Sequence, residues 1–464
     1  MTWNCLSICQ LGIVLVILLN IHTIHTHSVQ SRTGIQTANT LLSHRHNHDV
    51  DSRLMQPNFN VMYHTADELY ELINEIGGRN AINIRVTTPF KHHSDWSTHP
   101  YVNELQLVEI SNFDSSIPDC NKLHIQLTFG EHGREIISSE VALKLIQLFD
   151  IDSSEYLDSS ILLSDQFRSY ILDNVHIYLV PLLNVWGHKQ IELGYTCERK
   201  NMNGVDPNRN YGYDFKRTDE HDQLIAAGSE TYPGKYAFSE LESQYVKHIG
   251  ELIIDRHGVH DLYINVHSGV REMYRGWDSN PSPIPNHIQV DQLLSFINTH
   301  HCNCKSGGAG EIGGYVVYGG SMDYFYTHFN VSHSLTFEIY GDESYLSREL
   351  FDCYPFFNPI TAHQLHNQTT IWSYSFLSAS LYLLKQKHQQ IYPYTLPGYL
   401  HDAQQILQPT HNNIKHYMTN NMSLQHIAAC ILGIVISIIC LYVLLRSYNK
   451  YRSSNEYQSI PHRA

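Results

Sequence analysis

The sequence predicts an α/β fold built on a mixed, largely buried sheet. Short apolar runs alternate with longer helical patterns, polar turns bound the runs, and no internal repeat breaks the alternation. Hydrophobic residues make up 42% of the 464 positions and charged residues 16%, which suits a folded chain with a sizeable core.

The elements follow in order. A helix is expected over 66–76, with Thr65 as N-cap, Glu68 completing a capping box, and Leu69, Leu72, Ile73 and Ile76 as its apolar stripe. Alternation in Leu123-His-Ile-Gln-Leu-Thr-Phe129 predicts a buried strand over 123–129, followed by a helix over 138–149. A strand over 175–182 comes next. A helix over 239–254 leads into a strand over 262–266. The last strand spans 334–339, and a final helix spans 370–384. The folded domain is placed at 58–385.

The ends read differently. Leu11 to Leu19 is an apolar core too short to span a bilayer and suits a signal peptide over 1–27. Residues 28–57 are polar and His-rich and read as a loose segment. Residues 386–425 carry Pro393, Pro397 and Pro409 among polar residues and read as a stem. Ile427 to Leu445 is uncharged, apolar and long enough to cross hydrocarbon, and Arg446, Lys450 and Arg452 follow it. The expectation is a single-pass type I membrane protein with a cytosolic tail over 446–464 and the domain lumenal or extracellular. Plasma membrane and endolysosomal or secretory membranes both fit, and Tyr457-Gln-Ser-Ile460 resembles an endocytic sorting signal. Sequons at Asn330, Asn367 and Asn421 agree with secretory passage. Outside the signal and span lie Cys120, Cys197, Cys302, Cys304 and Cys353, an odd number whose pairing spacing does not fix. The formal net charge of −15 argues against a nucleic-acid partner.

Chemistry gathers around Phe129-Gly-Glu-His-Gly-Arg-Glu-Ile136. His132 and Glu135 directly follow a strand, as two of the three protein ligands of a catalytic zinc would. With 32 histidines in the chain, a His-x-x-Glu alone is expected by chance about once or twice. His267, ending the strand 262–266, is a candidate third ligand, because ligands collect beyond the carboxyl ends of strands in open α/β sheets. Glu338 interrupts an apolar strand with a carboxylate that is costly to bury without a task, and is the candidate general base. Arg199, Asn208 and Arg209 share one loop-rich stretch and suit a substrate carboxylate or a developing oxyanion.

These residues, with Gly204-Val-Asp-Pro-Asn-Arg-Asn210, Tyr232-Pro-Gly-Lys-Tyr-Ala-Phe-Ser-Glu240, Tyr315-Val-Val-Tyr-Gly-Gly-Ser-Met-Asp323 and Thr336-Phe-Glu338, resemble the zinc metallocarboxypeptidases of the A/B and N/E type, in the family's order. The resemblance implies a mixed, mostly parallel, eight-stranded twisted sheet flanked by helices. It implies one zinc per chain on His132, Glu135 and His267, with Glu338 as general base and Arg199 steadying the oxyanion. Asn208 and Arg209 would hold the C-terminal carboxylate of a peptide or protein substrate, Tyr315 would close over it, and Arg134 would contact more distal substrate. Met322 aligns with the position that tunes the pocket, implying apolar or aromatic C-terminal side chains. Asn184-Val-Trp-Gly187 departs from the family's usual Asn-Pro-Asp-Gly, and the features divide between the A/B and N/E branches. The rival reading is a non-enzymatic surface binding protein on the same scaffold, a class that loses a ligand or the base; this chain keeps all of them.

Overall fold

The computed structural model describes residues 62–391 apart from 92–95, 154–162, 220, 222 and 347–351. The expected signal, His-rich segment, membrane span and tail, and the stem beyond residue 391, lie outside the described residues. Among the described residues no helix is long and apolar enough to cross a membrane.

Helix α1 (Ala66–Arg79) starts as its sequence demands. Thr65 accepts from the Glu68 N–H, and the Glu68 carboxylate accepts from the Thr65 N–H at 2.8 Å. Such a cap contributes about 1 kcal/mol. Leu69, Ile73 and Ile76 are buried from it. The strands are β1 (Ile84–Thr87), β2 (Leu107–Ile110), β3 (Leu123–Thr128), β4 (Val175–Val180), β5 (Leu262–His267), β6 (Arg271–Arg275), β7 (Lys305–Gly308) and β8 (His333–Ile339). They form one sheet in the order β1-β2-β4-β3-β5-β8-β6-β7. The four central strands, β4, β3, β5 and β8, run parallel, while β1–β2, β2–β4 and β8–β6 pair antiparallel.

Further helices are α2 (Ile137–Gln147), α3 (Asp165–Asn174), α4 (Val185–Glu192), α5 (Leu241–His257), α6 (His287–Ile297), α7 (Ser321–His328) and α8 (Ala362–Ile391). Every residue of β3, β4 and β5 is buried, because helices cover both faces. On one face, Phe129 and Phe337 meet Phe376 and Trp372 of α8, at ring distances of 5.6 Å for Phe129–Phe376 and Phe337–Trp372. On the other, Gln126 donates to the Val246 carbonyl of α5 at 3.1 Å, and Tyr263 stacks on Phe325 of α7 at 3.7 Å. The chain leaves β3 toward β4 on one side and β5 on the other, so strand order reverses between β3 and β5. A crevice opens beyond the strand ends at such a reversal. Cys197 pairs with Cys353 and Cys302 with Cys304, and Cys120 is unpaired and exposed.

Candidate active site

His132 and Glu135 leave β3 at the reversal point, His267 ends neighbouring β5, and Glu338 lies opposite His267 in the β5–β8 register. The backbone must pass tightly here. Gly133 packs so closely on the first turn of α4 that a Cβ would stand 2.7 Å from the Gly187 carbonyl carbon. Asn184 caps α4 by accepting from the Gly187 N–H at 2.8 Å, which fixes that turn. The departure at Asn184-Val-Trp-Gly187 therefore keeps the two groups that hold the turn.

The donor atoms converge. His132 Nδ1 lies 2.9 Å from Glu135 Oε1 and 3.1 Å from His267 Nδ1, and His267 Nδ1 lies 3.0 Å from Glu135 Oε2. All three residues are buried. Ligands of a tetrahedral zinc, each about 2.0–2.1 Å from the ion, stand about 3.3 Å apart, so the set suits zinc with little movement. A second carboxylate, Glu131, lies 3.2 Å from His267 Nε2. Glu131 already accepts from Tyr211 Oη at 3.2 Å and Asn265 Nδ2 at 2.6 Å. Both imidazoles meet on their Nδ1 side, so Glu135 completes the three-donor set and Glu131 stands behind it.

Each outer ring nitrogen has a carboxylate partner. Asp206 Oδ1 lies 3.0 Å from His132 Nε2, matching Glu131 behind His267. Such partners fix the ring orientation and tautomer of metal-ligating histidines. Burial works against charge on His267, but Glu131 and Glu135 raise its pKa to about 10. Burial likewise disfavours the Glu135 carboxylate, yet His132 and His267 hold it well below its ordinary range.

Around the donors lies a cleft of about 980 Å³, measured out to open solvent. Glu338 lines it with Oε2 buried and unpaired. Burial, and then the charge of Glu135, push the Glu338 carboxyl up to about 7. Arg199 donates to Asp206 Oδ2 through Nε at 3.0 Å and Nη2 at 2.8 Å, and its Nη1 stands 3.2 Å from His132 Nδ1. Asp206 therefore orients both His132 and Arg199. Asn208 and Arg209 line the cleft from the short 3₁₀ turn Pro207–Arg209, and Asn208 Oδ1 accepts from the Ser321 N–H at 2.9 Å. A Cβ at Gly319 (φ +68°) would stand 2.3 Å from the Arg209 carbonyl oxygen, so glycine is needed for that approach. Tyr315 is half-buried on the cleft wall.

One expectation needs correction. Met322 does not line the cleft. It is wholly buried, packed with Tyr274, Ala309 and Ile312, and so stands behind the wall. The wall instead carries a buried carboxylate, Asp278, which sequence reading missed. Burial and neighbouring Asp323 raise the Asp278 carboxyl well above its ordinary range. Asp323 is itself occupied, accepting from the Asp278 N–H at 2.8 Å and the Ser279 hydroxyl at 2.8 Å. Arg134 lines the cleft as expected, with Nη1 donating to Glu230 at 2.9 Å, its guanidinium over the Phe357 ring and Nε without a partner.

Fold and site together define a metallohydrolase with its donors at a sheet reversal point. The family model described as zinc carboxypeptidase matches residues 103–370, and the chain belongs to that family. It is a metallocarboxypeptidase hydrolase by that membership, in a zinc-dependent family. It is similar to carboxypeptidase A1 of Bos taurus, 23% identical over 332 residues that cover 68% of this chain and 72% of the relative. Carboxypeptidase B2 of Bos taurus is 22% identical over 324 residues, covering 66% and 70%. Among solved structures, bovine thrombin-activatable fibrinolysis inhibitor in complex with tick carboxypeptidase inhibitor matches with a TM-score of 0.54 and 20% identity, covering 70% of this chain and 98% of that one. Carboxypeptidase A from Helicoverpa armigera matches with a TM-score of 0.52 and 18% identity, covering 77% and 81%. The eight-stranded mixed sheet with flanking helices is the fold shared with these neighbours.

Proposed function

We propose that this chain is an active, membrane-anchored carboxypeptidase that removes single C-terminal residues from peptides or proteins, with a preference for basic ones. The observation carrying the reading is one cleft that brings together three mutually adjacent metal donors, a carboxylate with one buried, unpaired oxygen and two carboxylate-binding side chains.

Zinc, when held by His132, Glu135 and His267, lowers the pKa of a water and polarises the scissile carbonyl. Glu338 takes the proton from the attacking water and returns it to the leaving amine. Arg199, held by Asp206, faces the oxyanion as charge develops. Arg209 and Asn208 clamp the terminal carboxylate, so only the last residue is placed for cleavage. Tyr315 covers the bound residue from the cleft wall. Asp278 offers a carboxylate to the C-terminal side chain, and a Lys or Arg head satisfies it better than an apolar group does. Anchoring rests on the apolar run Ile427 to Leu445 with its basic flank, and lumenal exposure on the apolar run near the N-terminus. The exposed sequon residue Asn330 is consistent with that side of the membrane.

The test is release of C-terminal residues from a peptide library by the ectodomain, with and without a zinc chelator. Chelator-sensitive release of single residues supports the reading. A zinc-loaded ectodomain that binds peptides and releases nothing would support the binding-protein rival instead.

A further inference from the structure

The far end of β3 carries a second group of metal-ligating side chains that the catalytic reading does not use. His124 is the second residue of β3 and His176 the second residue of β4, and the two are direct partners in the parallel register. His257 ends α5, which covers this face of the sheet. Asp119 sits in the short turn Asp119–Asn121 just before β3. One donor atom from each of these four residues lies within 4.8 Å of all the others. With β3 rising about 3.3 Å per residue, the group stands at least about 13 Å from the catalytic donors.

The rings are packed, His124 stacked on His257 at 3.9 Å and His176 on Tyr178 at 4.3 Å, but packing does not satisfy their nitrogens. His124 is fully buried, and neither ring nitrogen makes a hydrogen bond among the described residues. His176 is 5% exposed, and its Nδ1 is likewise unbonded, 3.6 Å from Asp119 Oδ1. A buried polar atom without a partner costs about 1–3 kcal/mol. Two such nitrogens, His124 Nε2 and His176 Nδ1, on neighbouring strands mark a place for a partner. The opposite sides of the rings are held. Glu109 Oε2 lies 3.1 Å from His176 Nε2 and is itself fixed by Arg256 at 2.8 Å. The Tyr178 hydroxyl lies 2.7 Å from His257 Nε2, leaving His257 Nδ1 facing Asp119 Oδ2 at 3.0 Å. His124 Nδ1 lies 3.7 Å from Asp261, which leaves Nε2 for the group. The outer nitrogens of His176 and His257 are thus held by a carboxylate and a phenol, as in metal-ligating histidines, while His124 Nε2 and His176 Nδ1 are unpaired, and the stacked His124 and His257 rings would turn slightly to share an ion. Two cations stand nearby: Arg256 is held by Glu109, and Lys122, which donates to Ser111 Oγ at 2.9 Å and the Asn112 carbonyl at 2.7 Å, also reaches Asp119 Oδ1 at 3.7 Å, a long contact that a metal ion would replace.

We propose that Asp119, His124, His176 and His257 form a second metal site that takes a divalent first-row transition ion, Zn²⁺ foremost. Three imidazoles and a carboxylate are the donors such ions prefer, and alkaline-earth ions do not. Four protein donors fill a tetrahedral set and leave no place for substrate, which makes the site structural. It ties the end of α5 to the starts of β3 and β4. Asp119, partly exposed, closes the set by rotating inward.

Metal content of the full chain, loaded with Zn²⁺ and dialysed against metal-free buffer, tests this. The wild type should hold two zinc ions. His132→Gln should hold one and lose peptidase activity. Asp119→Ala with His176→Gln should hold one and keep peptidase activity. Because the double variant removes a buried ring, Asp119→Ala alone is the second arm: chelator competition should find the second zinc bound at least about tenfold more weakly, with the first unchanged. A wild type holding one zinc that His132→Gln abolishes, or an Asp119→Ala protein that binds two zinc ions as tightly as the wild type, overturns the proposal.

Discussion

Asp278→Asn tests the specificity assigned to the cleft. The substitution keeps the side-chain shape and removes the charge. Unit charges about 4 Å apart at an effective dielectric constant of about 20 attract by about 4 kcal/mol. Part of that is offset by ionising Asp278, since burial and Asp323 favour its neutral form. The net discrimination falls to about 2–3 kcal/mol, the low end for a buried charge pair that loses one member. In kcat/KM this is roughly 30- to 150-fold. Matched peptides differing only in a C-terminal Arg or Leu supply the assay. The variant should lose the Arg substrate by that factor and keep the Leu substrate within about threefold. Preference for Arg should also rise with pH in the wild type as Asp278 ionises, and flatten in the variant. Equal losses on both substrates, or a wild type that favours Leu, would refute the assignment and return specificity to an apolar wall.

Other outcomes follow from the same geometry. Glu338→Gln should lower kcat by about 10²–10⁴ while metal analysis finds the catalytic zinc retained, because Glu338 stands outside the donor triad. Glu242 is buried, and burial raises its carboxyl to about 7. A carboxyl raised on folding contributes stability below its unfolded pKa of about 4.5 and loses it as pH rises toward 7. Glu242→Gln should remove that fall in denaturant midpoint between about pH 4.5 and 7, and an unchanged profile would count against the assignment. Replacing Cys197 and Cys353 by Ser opens a loop with a sequence separation of 156 and should cost about 2–5 kcal/mol by chemical denaturation. Peptidase activity should also suffer, because the bridge ties the Arg199 loop to the turn carrying Phe356 and Phe357 on the cleft wall.

The central strands were legible because each is covered on both faces and therefore reads as an apolar run. The expected strands at 123–129, 175–182, 262–266 and 334–339 correspond to β3, β4, β5 and β8, with ends shifted by one or two residues. The sheet edges were not legible. β6 is Arg271-Glu-Met-Tyr-Arg275 and β7 is Lys305-Ser-Gly-Gly308, sequences with no strand period. β6 becomes a strand because β8 offers its open edge and β7 because β6 then offers its own, contacts that no local pattern encodes.

The site divides along the same line. His132, Glu135, His267 and Glu338 could be singled out because each sits on or just beyond a legible strand. Glu131, Asp206 and Asp278 could not, since a carboxylate in a loop reads as a surface group until folding brings its partner. Met322 fails for a related reason: its place in the chain was read correctly, but the sequence does not say which way a residue at the start of α7 points.

Strand β3 joins the two groups of donors. Its alternation turns His124, Gln126 and Thr128 toward α5, and those polar side chains were read only as the marks of a strand. The same period that delivers His132 to the open crevice at one end delivers His124 to a covered pocket at the other. At the crevice end the three donors face a cleft, which leaves room for water and a substrate carbonyl. At the covered end a helix terminus and a short turn supply the remaining donors and shut the position. Openness, rather than residue type, separates a place for catalysis from a place for structure. The two groups draw on the same kinds of side chain, so a metal count on variants of each end distinguishes them where sequence cannot.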